Sequence, residues 1–261
     1  MNLFFDISGY LYDEQTMLLK QELREQSMCN SIISAIASGA VKLNDISLKI
    51  GEERSKCIKY LQTLINLRII HKEFPIGENK IKSRKGIYKI SDNFYAFWFK
   101  FVFPNTDSIE GGNGEVIFNK IVLPRLSDYI GKPFETICAE YMLRKNQKNE
   151  LPFQFVDFGR WWGTDNELKI QVEIDFVATF EKKIILGECK WRNDLRDVSE
   201  LKKLLEKIKL FSNYTEQYFY LFSKISFSNE CKKLAKDIKN VQLVEIEDMI
   251  SSKFSCGNLS I

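Results

Sequence analysis

The first half of the chain carries hydrophobic residues at helical spacing. Apolar side chains occupy positions 28, 32, 33, 36 and 37 in one segment and 57, 58, 61, 64 and 65 in another, with the short segment "NDISLKIG" between them. Recurrence near a period of 3.6 residues is typical of amphipathic helices, and Gly39 follows the first segment as a helix-ending residue. The pattern therefore predicts three helices between residues 27 and 66.

Two segments of alternating hydrophobic and polar residues follow these helices. "IIHKEFP" and "KGIYKIS" flank the loop "IGENKIKSR", which predicts a β-hairpin. Three helices followed by a two-stranded ribbon predict a winged helix. In that arrangement the third helix can enter a DNA major groove, and the ribbon, or wing, can touch the DNA backbone.

Basic side chains cluster on the predicted wing, where Glu78 is the acid set against them, and continue on the polar face of the third helix. Such a cluster can neutralise phosphates, with an affinity that depends on salt and carries no sequence information by itself. The alternative is a solvated hairpin on a domain used for protein contacts, because winged helices can bind either nucleic acid or protein. The candidate DNA-binding residues are Arg54, Lys59, Lys80, Lys82, Arg84 and Lys85.

Aromatic residues crowd the segment 94–103, "FYAFWFKFVF", in numbers too large for one helix face. This density favours a buried connector, with a base-stacking platform as the alternative. The next stretch, "NTDSIEGGNGE", is rich in glycine and is predicted as a linker. The predicted domains are an N-terminal helical segment over 1–26, a winged-helix domain with the aromatic connector over 27–105, a linker over 106–125 and a second domain over 126–261.

Helix-like and strand-like segments alternate in the second half. A helix is predicted over 126–146, with Glu135 at the edge of its apolar stripe, and the segment 159–169 has the composition of a long polar turn. This order predicts an α/β (α+β) fold in which helices flank a mixed sheet. The other predicted elements are strands over 151–158, 170–179 and 182–191, a helix over 196–211, a strand over 216–223, a helix over 228–238 and a strand over 241–246.

Charged residues interrupt two of these apolar strands in the segment "VEIDFVATFEKKIILGECKW". Residues two apart on a strand share a face, so Glu173 and Asp175 are expected on one face, and Glu188 and Lys190 on one face of the next strand. If the hairpin aligns these faces, three acids and one ammonium converge, which is costly unless a cation occupies the centre. Mg²⁺ suits such oxygen ligands. Asp175 and Glu188 would bind it, with the carbonyl of Cys189 as a third ligand.

Lys190 would orient or deprotonate the attacking water and offset the charge of a phosphate. The alternative is ordinary cross-strand pairing, in which Lys190 bridges to Asp175 or Glu173. The upstream helix with Glu135 and the helix predicted after the second strand favour the metal site over simple pairing.

Composition narrows the chemistry further. His71 is the only histidine, so catalytic triads, zinc hydrolases and other histidine-based sites would all rest on one residue in a predicted strand at an exposed polar position. The chain has 38 basic and 35 acidic side chains, a net charge of +3, so any surface that binds nucleic acid must be local. The chemistry is therefore expected to use carboxylates and lysine.

Compartment is indicated by the cysteines and by the absence of long apolar runs. The six cysteines form no CxxC pair, which favours reduced thiols and argues against a zinc site. The N-terminus lacks the pattern of a signal peptide, and no apolar run approaches the length of a membrane span. A cytoplasmic protein without membrane partners is expected.

The helix with Glu135, the acid of "VEIDFVA" and the strand "GECKW" resemble the PD-(D/E)xK superfamily, which has the restriction-endonuclease-like fold. Carried over, the resemblance places the first-motif acid on Glu135, the metal-binding acid on Asp175 and the ExK pair on Glu188 and Lys190. It implies Mg²⁺ or Mn²⁺ as the cofactor. The proline of the superfamily name is absent, since Ile174 precedes the aspartate.

A wider set of segments is similar to the uncharacterised family found as the C-terminal region of archaeal-type P-loop ATPases. The segments are "SIISAIASGA", "ISDNFYAFWFKFVFPN", "IGKPFETICAEYM", "GRWWG", "EIDFVA" and "ILGECKW". No GxxxxGK[ST] motif occurs in the chain, so no ATPase activity is expected from it. The resemblance implies either a C-terminal part of a longer protein or a stand-alone version, with a P-loop ATPase module as a partner.

Three hypotheses follow from the sequence. The first is a Mg²⁺-dependent nuclease or DNA-processing module that uses its winged helix for targeting. The second is a non-catalytic DNA- or protein-binding regulatory region that retains the nuclease fold. The third is an interaction scaffold that regulates an ATPase. The most informative single observation would be whether a divalent ion occupies the space between Asp175 and Glu188.

Overall fold

The computed structural model describes residues 3–9, 11–12, 25–193 and 198–251. Its contacts divide the chain into two compact units, residues 1–74 with 78–126 and residues 75–77 with 127–261. The helical segment predicted over 1–26 lies largely outside the described residues, and the described stretch 3–9 consists of turns and bends. No helix among the residues described has both the length and the apolar character needed to cross a membrane.

The first unit begins with three helices and a hairpin. The helices are α1 (Gln26–Ala37), α2 (Leu43–Ile50) and α3 (Arg54–Asn66). Strands β1 (Ile70–Glu73) and β2 (Ile87–Ile90) pair antiparallel. The apolar stripes predicted from the sequence form the core, and this is the winged-helix arrangement that the pattern predicts. Fully buried side chains of this core include Ile32, Ile33, Ile46, Leu61 and Leu64.

Helical turns occupy the stretch that follows the wing, including residues 106–122 of the predicted linker. Gly112 has a φ of 82°, which glycine tolerates, so it provides a kink in the helical path. Gly114 packs against main chain, since a Cβ there would lie 1.7 Å from the carbonyl oxygen of Phe5. The glycines therefore serve a bent helical segment and not an extended linker. The helices are α4 (Asn93–Phe97), α5 (Thr106–Ser108) and α6 (Gly114–Ile117), joined by a π-helical turn (Trp98–Val102), a 3₁₀ turn (Phe103–Asn105) and two further π-helical turns (Ile109–Asn113 and Phe118–Val122).

The aromatic connector packs into the core of the first unit. Trp98, Phe99 and Phe101 are all buried, and the indole N–H of Trp98 donates to the carbonyl oxygen of Tyr12 at 3.2 Å. Rings buried in this way cannot stack on nucleobases. The structure therefore favours the core interpretation of the segment over the base-stacking alternative.

The second unit is a mixed five-stranded sheet in the order β3-β4-β5-β6-β7. Strand β4 runs antiparallel to both of its neighbours, β3 and β5, and β6 and β7 extend the sheet parallel to β5. The mixed sheet with flanking helices is confirmed, as is the adjacency of "VEIDFVA" and "ILGECKW". The elements are α7 (Leu123–Gln147), β3 (Asp157–Asp165), β4 (Ile170–Phe180), β5 (Lys183–Lys190), α8 (Val198–Glu206), β6 (Glu216–Ser223), α9 (Asn229–Asp237), β7 (Val241–Glu245) and α10 (Ile246–Ser251).

Helices cover both faces of this sheet. On one face, Phe134 and Met142 of α7 pack with Phe176 of β4 in a buried cluster. On the other face, Leu201 and Leu204 of α8 pack in a second cluster with apolar side chains of β4, β5 and β6. Two buried faces explain why β5 is apolar along most of its length, and they leave its C-terminal end as the place where polar residues gather.

Strand β3 differs from its prediction. The sequence predicts a strand over 151–158 followed by a polar turn, whereas the observed strand runs Asp157–Asp165 and pairs with β4 along its length. Two aromatic residues, Trp161 and Trp162, favour the extended conformation. The actual turn is short, because Asp165 Oδ1 accepts hydrogen bonds from the backbone N–H groups of Glu167 and Leu168.

Candidate active site

A β-bulge in β4 lies beside the predicted site. Gly159 of β3 is paired with Val177, whereas Trp161 is paired with Ile174, so β4 has one more residue than β3 over this interval. The extra residue places Asp175 within the bulge. Bulges turn side chains away from the regular alternation of a strand and are common next to active sites.

The bulge changes which side chains share a face of β4. Ile174 and Val177 are three residues apart, yet both pack in the same buried cluster. The regular alternation of the strand therefore fails between Ile174 and Val177, whereas Glu173 and Asp175 both line one cleft. The Glu173 side chain is 65% exposed, whereas Asp175 is partly buried.

Strands β4 and β5 separate just beyond the bulge. The last pair of their ladder is Phe176 with Gly187. Gly187 is required there, because a Cβ would lie 1.9 Å from the ring of Phe176. Past this point the backbone N–H of Cys189 donates to Asp175 Oδ2 at 2.8 Å instead of to a β4 carbonyl. Asp175 thus holds the end of β5 through its side chain, and the two strands open into a cleft.

Glu188 is the most buried carboxylate of this cleft, with a side chain only 8% exposed. Its Oε2 lies 3.2 Å from Lys190 Nζ, and its Oε1 accepts a hydrogen bond from Lys207 Nζ. Burial, and then the charge of Asp175, raise the pKa of Glu188 above its usual value, although both lysines act in the opposite direction. Two ammonium groups therefore compensate a carboxylate that is costly to bury.

Lys190 contacts a second acid in addition to Glu188. Its Nζ lies 3.3 Å from Glu200 Oε2 on α8, and Glu200 is itself paired with Lys203 at 3.2 Å. Burial lowers the pKa of Lys190, but Glu188 and Glu200 outweigh this effect, so its pKa lies above the usual value. Lys190 is consequently protonated at neutral pH. A protonated ammonium can orient water and compensate negative charge.

Glu135 enters the cleft from α7. Its Oε1 lies 2.9 Å from Lys132 Nζ, and its Oε2 lies 3.7 Å from Arg160 Nε. Arg160 also reaches Glu173, with 3.4 Å between Nη2 and Oε2. Burial and the charge of Asp175 raise the pKa of Glu135. Asp175 therefore raises the pKa of both glutamates, Glu135 and Glu188.

Cys189 could bind a metal ion through its main-chain carbonyl but not through a thiolate. Burial, followed by a hydrogen bond with the thiol of Cys138, raises the pKa of the Cys189 thiol well above its usual value. The thiol is therefore protonated and lies on the hydrophobic side of β5. All five cysteines within the described part of the chain are free; the sixth, Cys256, lies outside it.

The cleft is an open cavity of about 290 Å³. Lys190 lines it, together with Trp191 and Arg192, which follow β5. Five acids also line it: Asp128, Glu135, Glu173, Asp175 and Glu188. The lining therefore combines acidic groups with a lysine, an arginine and an aromatic ring. This is a setting in which a phosphodiester could be placed against both acids and cations.

The donor set of the cleft fits a hard divalent cation. Asp175 and Glu188 supply carboxylates and Cys189 a carbonyl, and Mg²⁺ is commonly bound through one or two carboxylates while it keeps several waters. No group of three or more His, Cys, Asp or Glu side chains arranged to hold a metal occurs within residues 3–9, 11–12, 25–193 and 198–251. The fit therefore rests on the two carboxylates, with Glu135 as a further acid nearby.

Three residues that contact the lining of the cleft are not foreseen from the sequence. Arg160 lies in the segment predicted as a turn, so its face could not be assigned. Glu200 and Lys207 lie seven residues apart in the predicted helix over 196–211, a spacing that places both on one helix face. That spacing, directly after an ExK strand, is the signal that could have identified them.

The candidate DNA-binding residues lie on the surface of the first unit. Arg54 donates from Nη1 to Asn44 Oδ1 at 3.0 Å, and Lys59 Nζ lies 5.9 Å from the centre of the Tyr60 ring. On the wing, Lys85 pairs with Glu78. The wing residues Lys80, Lys82, Arg84 and Lys85 are all exposed.

His71 occupies the exposed polar position that the sequence predicts for it. It lies on β1, and its Nδ1 is 3.1 Å from Ser91 Oγ. Burial of the ring lowers the pKa of His71. It does not line the cleft, so the site of the second unit contains carboxylates, lysines and arginine without histidine.

Residues 98–204 match a family described as "Archaea bacterial proteins of unknown function", DUF234. The matched range contains Glu135, Asp175, Glu188, Lys190 and Glu200. An uncharacterised protein of Methanocaldococcus jannaschii, MJECL04, is 33% identical over 241 residues, which cover 90% of this chain and 52% of that protein. The chain thus spans about half the length of this curated relative.

Two solved structures resemble the chain weakly. Protein VC1899 from Vibrio cholerae is 13% identical with a TM-score of 0.38, over 93% of this chain and 51% of that one. Can2 from Sulfobacillus thermosulfidooxidans, in complex with cyclic tetra-adenylate, is 10% identical with a TM-score of 0.28, over 92% of this chain and 52% of that one. Such low TM-scores do not establish a common fold.

Proposed function

We propose that the chain is a Mg²⁺- or Mn²⁺-dependent nuclease module of the PD-(D/E)xK type that acts on DNA. The observation that carries the proposal is the meeting of Asp175, Glu188 and Lys190 where β4 and β5 separate. Glu135 of α7 adds the acid that the superfamily pattern expects from an upstream helix. Buried acids that lie close together are destabilised by desolvation and by mutual repulsion, and such clusters are typical of functional sites.

Asp175, Glu188 and the carbonyl of Cys189 would hold the ion, with Glu135 beside them. When bound, the ion supplies Lewis-acid activation of water and stabilises charge on the transferred phosphoryl group. Lys190, protonated and held between Glu188 and Glu200, orients the attacking water and compensates phosphate charge. Arg192 at the rim offers a further cation to the nucleic-acid backbone.

The winged helix of the first unit would bring the module to DNA. Its exposed cations on α3 and on the wing suit phosphate contacts, which position a protein on a duplex without reading its sequence. The relative MJECL04 is about twice as long as the part matched here, which leaves room for a further module, and the sequence resemblance implies that this module is a P-loop ATPase.

A second candidate function is a binding-only region that retains the fold without cleavage. One observation favours it: both oxygens of Glu188 are bonded to lysines, so the cleft has compensating cations of its own. A fold of this kind could persist after losing its metal.

Two substitutions separate these functions. Lys190→Ala removes the cation nearest the water but leaves both carboxylates, so it is expected to keep or strengthen Mg²⁺ binding and abolish cleavage. Asp175→Asn is expected to lose both. Mg²⁺ binding is measured by calorimetry, and cleavage is scored on linear duplex, supercoiled and single-stranded DNA and on RNA, with Mg²⁺ or Mn²⁺.

The unmutated chain is the reference in each assay, and Lys233→Ala, an exposed lysine of α9, is the matched control. The control should bind and cleave as the unmutated chain does. If the unmutated chain cleaves none of these substrates, even with its P-loop ATPase partner supplied, the binding-only function is favoured.

A further inference from the structure

Lys207 is the second lysine bonded to Glu188, and it joins the two strands where their backbone pairing ends. Its Nζ donates to Glu188 Oε1 and, at 2.7 Å, to the carbonyl oxygen of Glu173. It begins the 3₁₀ turn (Lys207–Phe211) that continues α8, and its side chain is 22% exposed. The ammonium thus links β4 and β5 through its bonds to the Glu173 carbonyl and the Glu188 carboxylate, beyond the last backbone pair of the two strands.

The two lysines at Glu188 differ in their other partners. Lys190 has a second carboxylate, Glu200, at 3.3 Å, so it can leave Glu188 and still form an ion pair. The second partner of Lys207 is a neutral main-chain carbonyl. Displacing Lys207 therefore costs its ion pair, whereas leaving it in place puts a positive charge beside any incoming cation.

We propose that Lys207 is a built-in counter-cation of the metal site, which competes with the divalent ion for Glu188 and sets the concentration at which the site fills. The inference rests on the proposed function, because it concerns the same carboxylates. In the metal-free protein Lys207 stabilises the buried Glu188, and in the metal-bound protein it opposes the ion. These two effects have opposite signs and can be measured separately.

The test is Lys207→Met in the full 261-residue chain, with Mn²⁺ as the probe. Removing a competing charge is expected to lower the dissociation constant of Mn²⁺ by about tenfold, within the range typical of coupled binding. The melting temperature in EDTA should fall, because Glu188 loses a partner, and the difference should shrink or vanish in saturating Mn²⁺. Calorimetric titration and thermal unfolding give both readouts without any cleavage assay.

A lysine with a purely structural role would lower the melting temperature equally in EDTA and in Mn²⁺. Lys207→Arg, which keeps the charge, should retain the unmutated affinity, and Lys209→Met, two residues along the same turn, should change neither readout. If Lys207→Met does not fold in EDTA, Lys207→Gln, which keeps a donor for the Glu173 carbonyl, replaces it.

The outcomes also separate this inference from the proposed function. If the unmutated chain binds Mn²⁺ and Lys207→Met binds it equally or more weakly, the counter-cation role is overturned and the metal site stands. If the unmutated chain binds no Mn²⁺ at millimolar concentration, the proposed function fails and the counter-cation role fails with it.

Discussion

The folded protein destabilises the ionised form of two acids of the cleft, Glu135 and Glu188. Burial and the charge of Asp175 raise the pKa of both Glu135 and Glu188 above the ordinary value of 4.5. The folded state therefore holds their protons more tightly than the unfolded state. Stability from each of these groups is present below the unfolded-state pKa and is lost as the pH rises through the folded-state pKa. The same residues that could bind a metal are thus the ones that weaken the metal-free fold.

This argument predicts the pH dependence of Glu135→Gln. The variant carries no titrating group at this position, so its free energy of unfolding should increase relative to that of the unmutated chain as the pH rises from 4.5 toward neutrality. Urea unfolding in EDTA at several pH values measures the difference between the two proteins. Glu230→Gln, an exposed position on α9, serves as the control and should show no such trend. A difference that moves in the opposite direction with pH would contradict the assigned cause.

At the scale of elements, the sequence predicts those features that depend on local pattern. The three helices of the first unit follow from apolar spacing, and β5 follows from a continuous apolar run. The acids of β4 and β5 stand out because charges inside apolar strands need an explanation. Sheet pairing then brings Asp175 and Glu188 into one cleft, as the hairpin arrangement predicts.

The features that the sequence does not predict depend on contacts between elements. The bulge in β4 depends on its pairing with β3. The polar composition of residues 159–169 predicts a turn where most of β3 lies. Arg160 could not be placed without that strand. Lys207 reaches Glu188 only because α8 packs across the sheet near β5. No alternation or helical period contains this information, because it concerns residues distant in sequence.

Gly187 provides a test of the strand junction. In Gly187→Ala the new methyl group would meet the ring of Phe176, whose nearest atom is 1.9 Å from the ideal Cβ position. Overpacking of this kind is expected to cost about 1–3 kcal/mol in the free energy of unfolding, measured by urea denaturation. Phe176→Leu in the same chain should relieve part of the clash, so the double variant should lose less stability than the two single variants summed. Strict additivity would argue against this steric clash as the cause.

For the molecule as a whole, one surface of the first unit is basic and the cleft of the second unit is acidic. A net charge of +3 gives little long-range attraction to nucleic acid. Affinity must come from local groups, and in the first unit these are the exposed cations of the wing and of α3. The cleft of the second unit is rich in acids, which repel phosphates until cations compensate them. Binding and cleavage are thus expected to depend on different residues.

Replacing Lys80, Lys82, Arg84 and Lys85 of the wing with alanine tests this division. Phosphate contacts carry no sequence information, so duplex binding should weaken to a similar extent for every sequence. The slope of log affinity against log salt should fall by about 0.9 for each phosphate that the variant no longer neutralises. Fluorescence anisotropy over a salt series measures both quantities. The matched control replaces four exposed lysines of the second unit, Lys202, Lys233, Lys236 and Lys239, and should leave the slope unchanged. Unchanged affinity of the wing variant at low salt would assign the winged helix to protein contacts, and the DNA would then have to be held by the second unit alone.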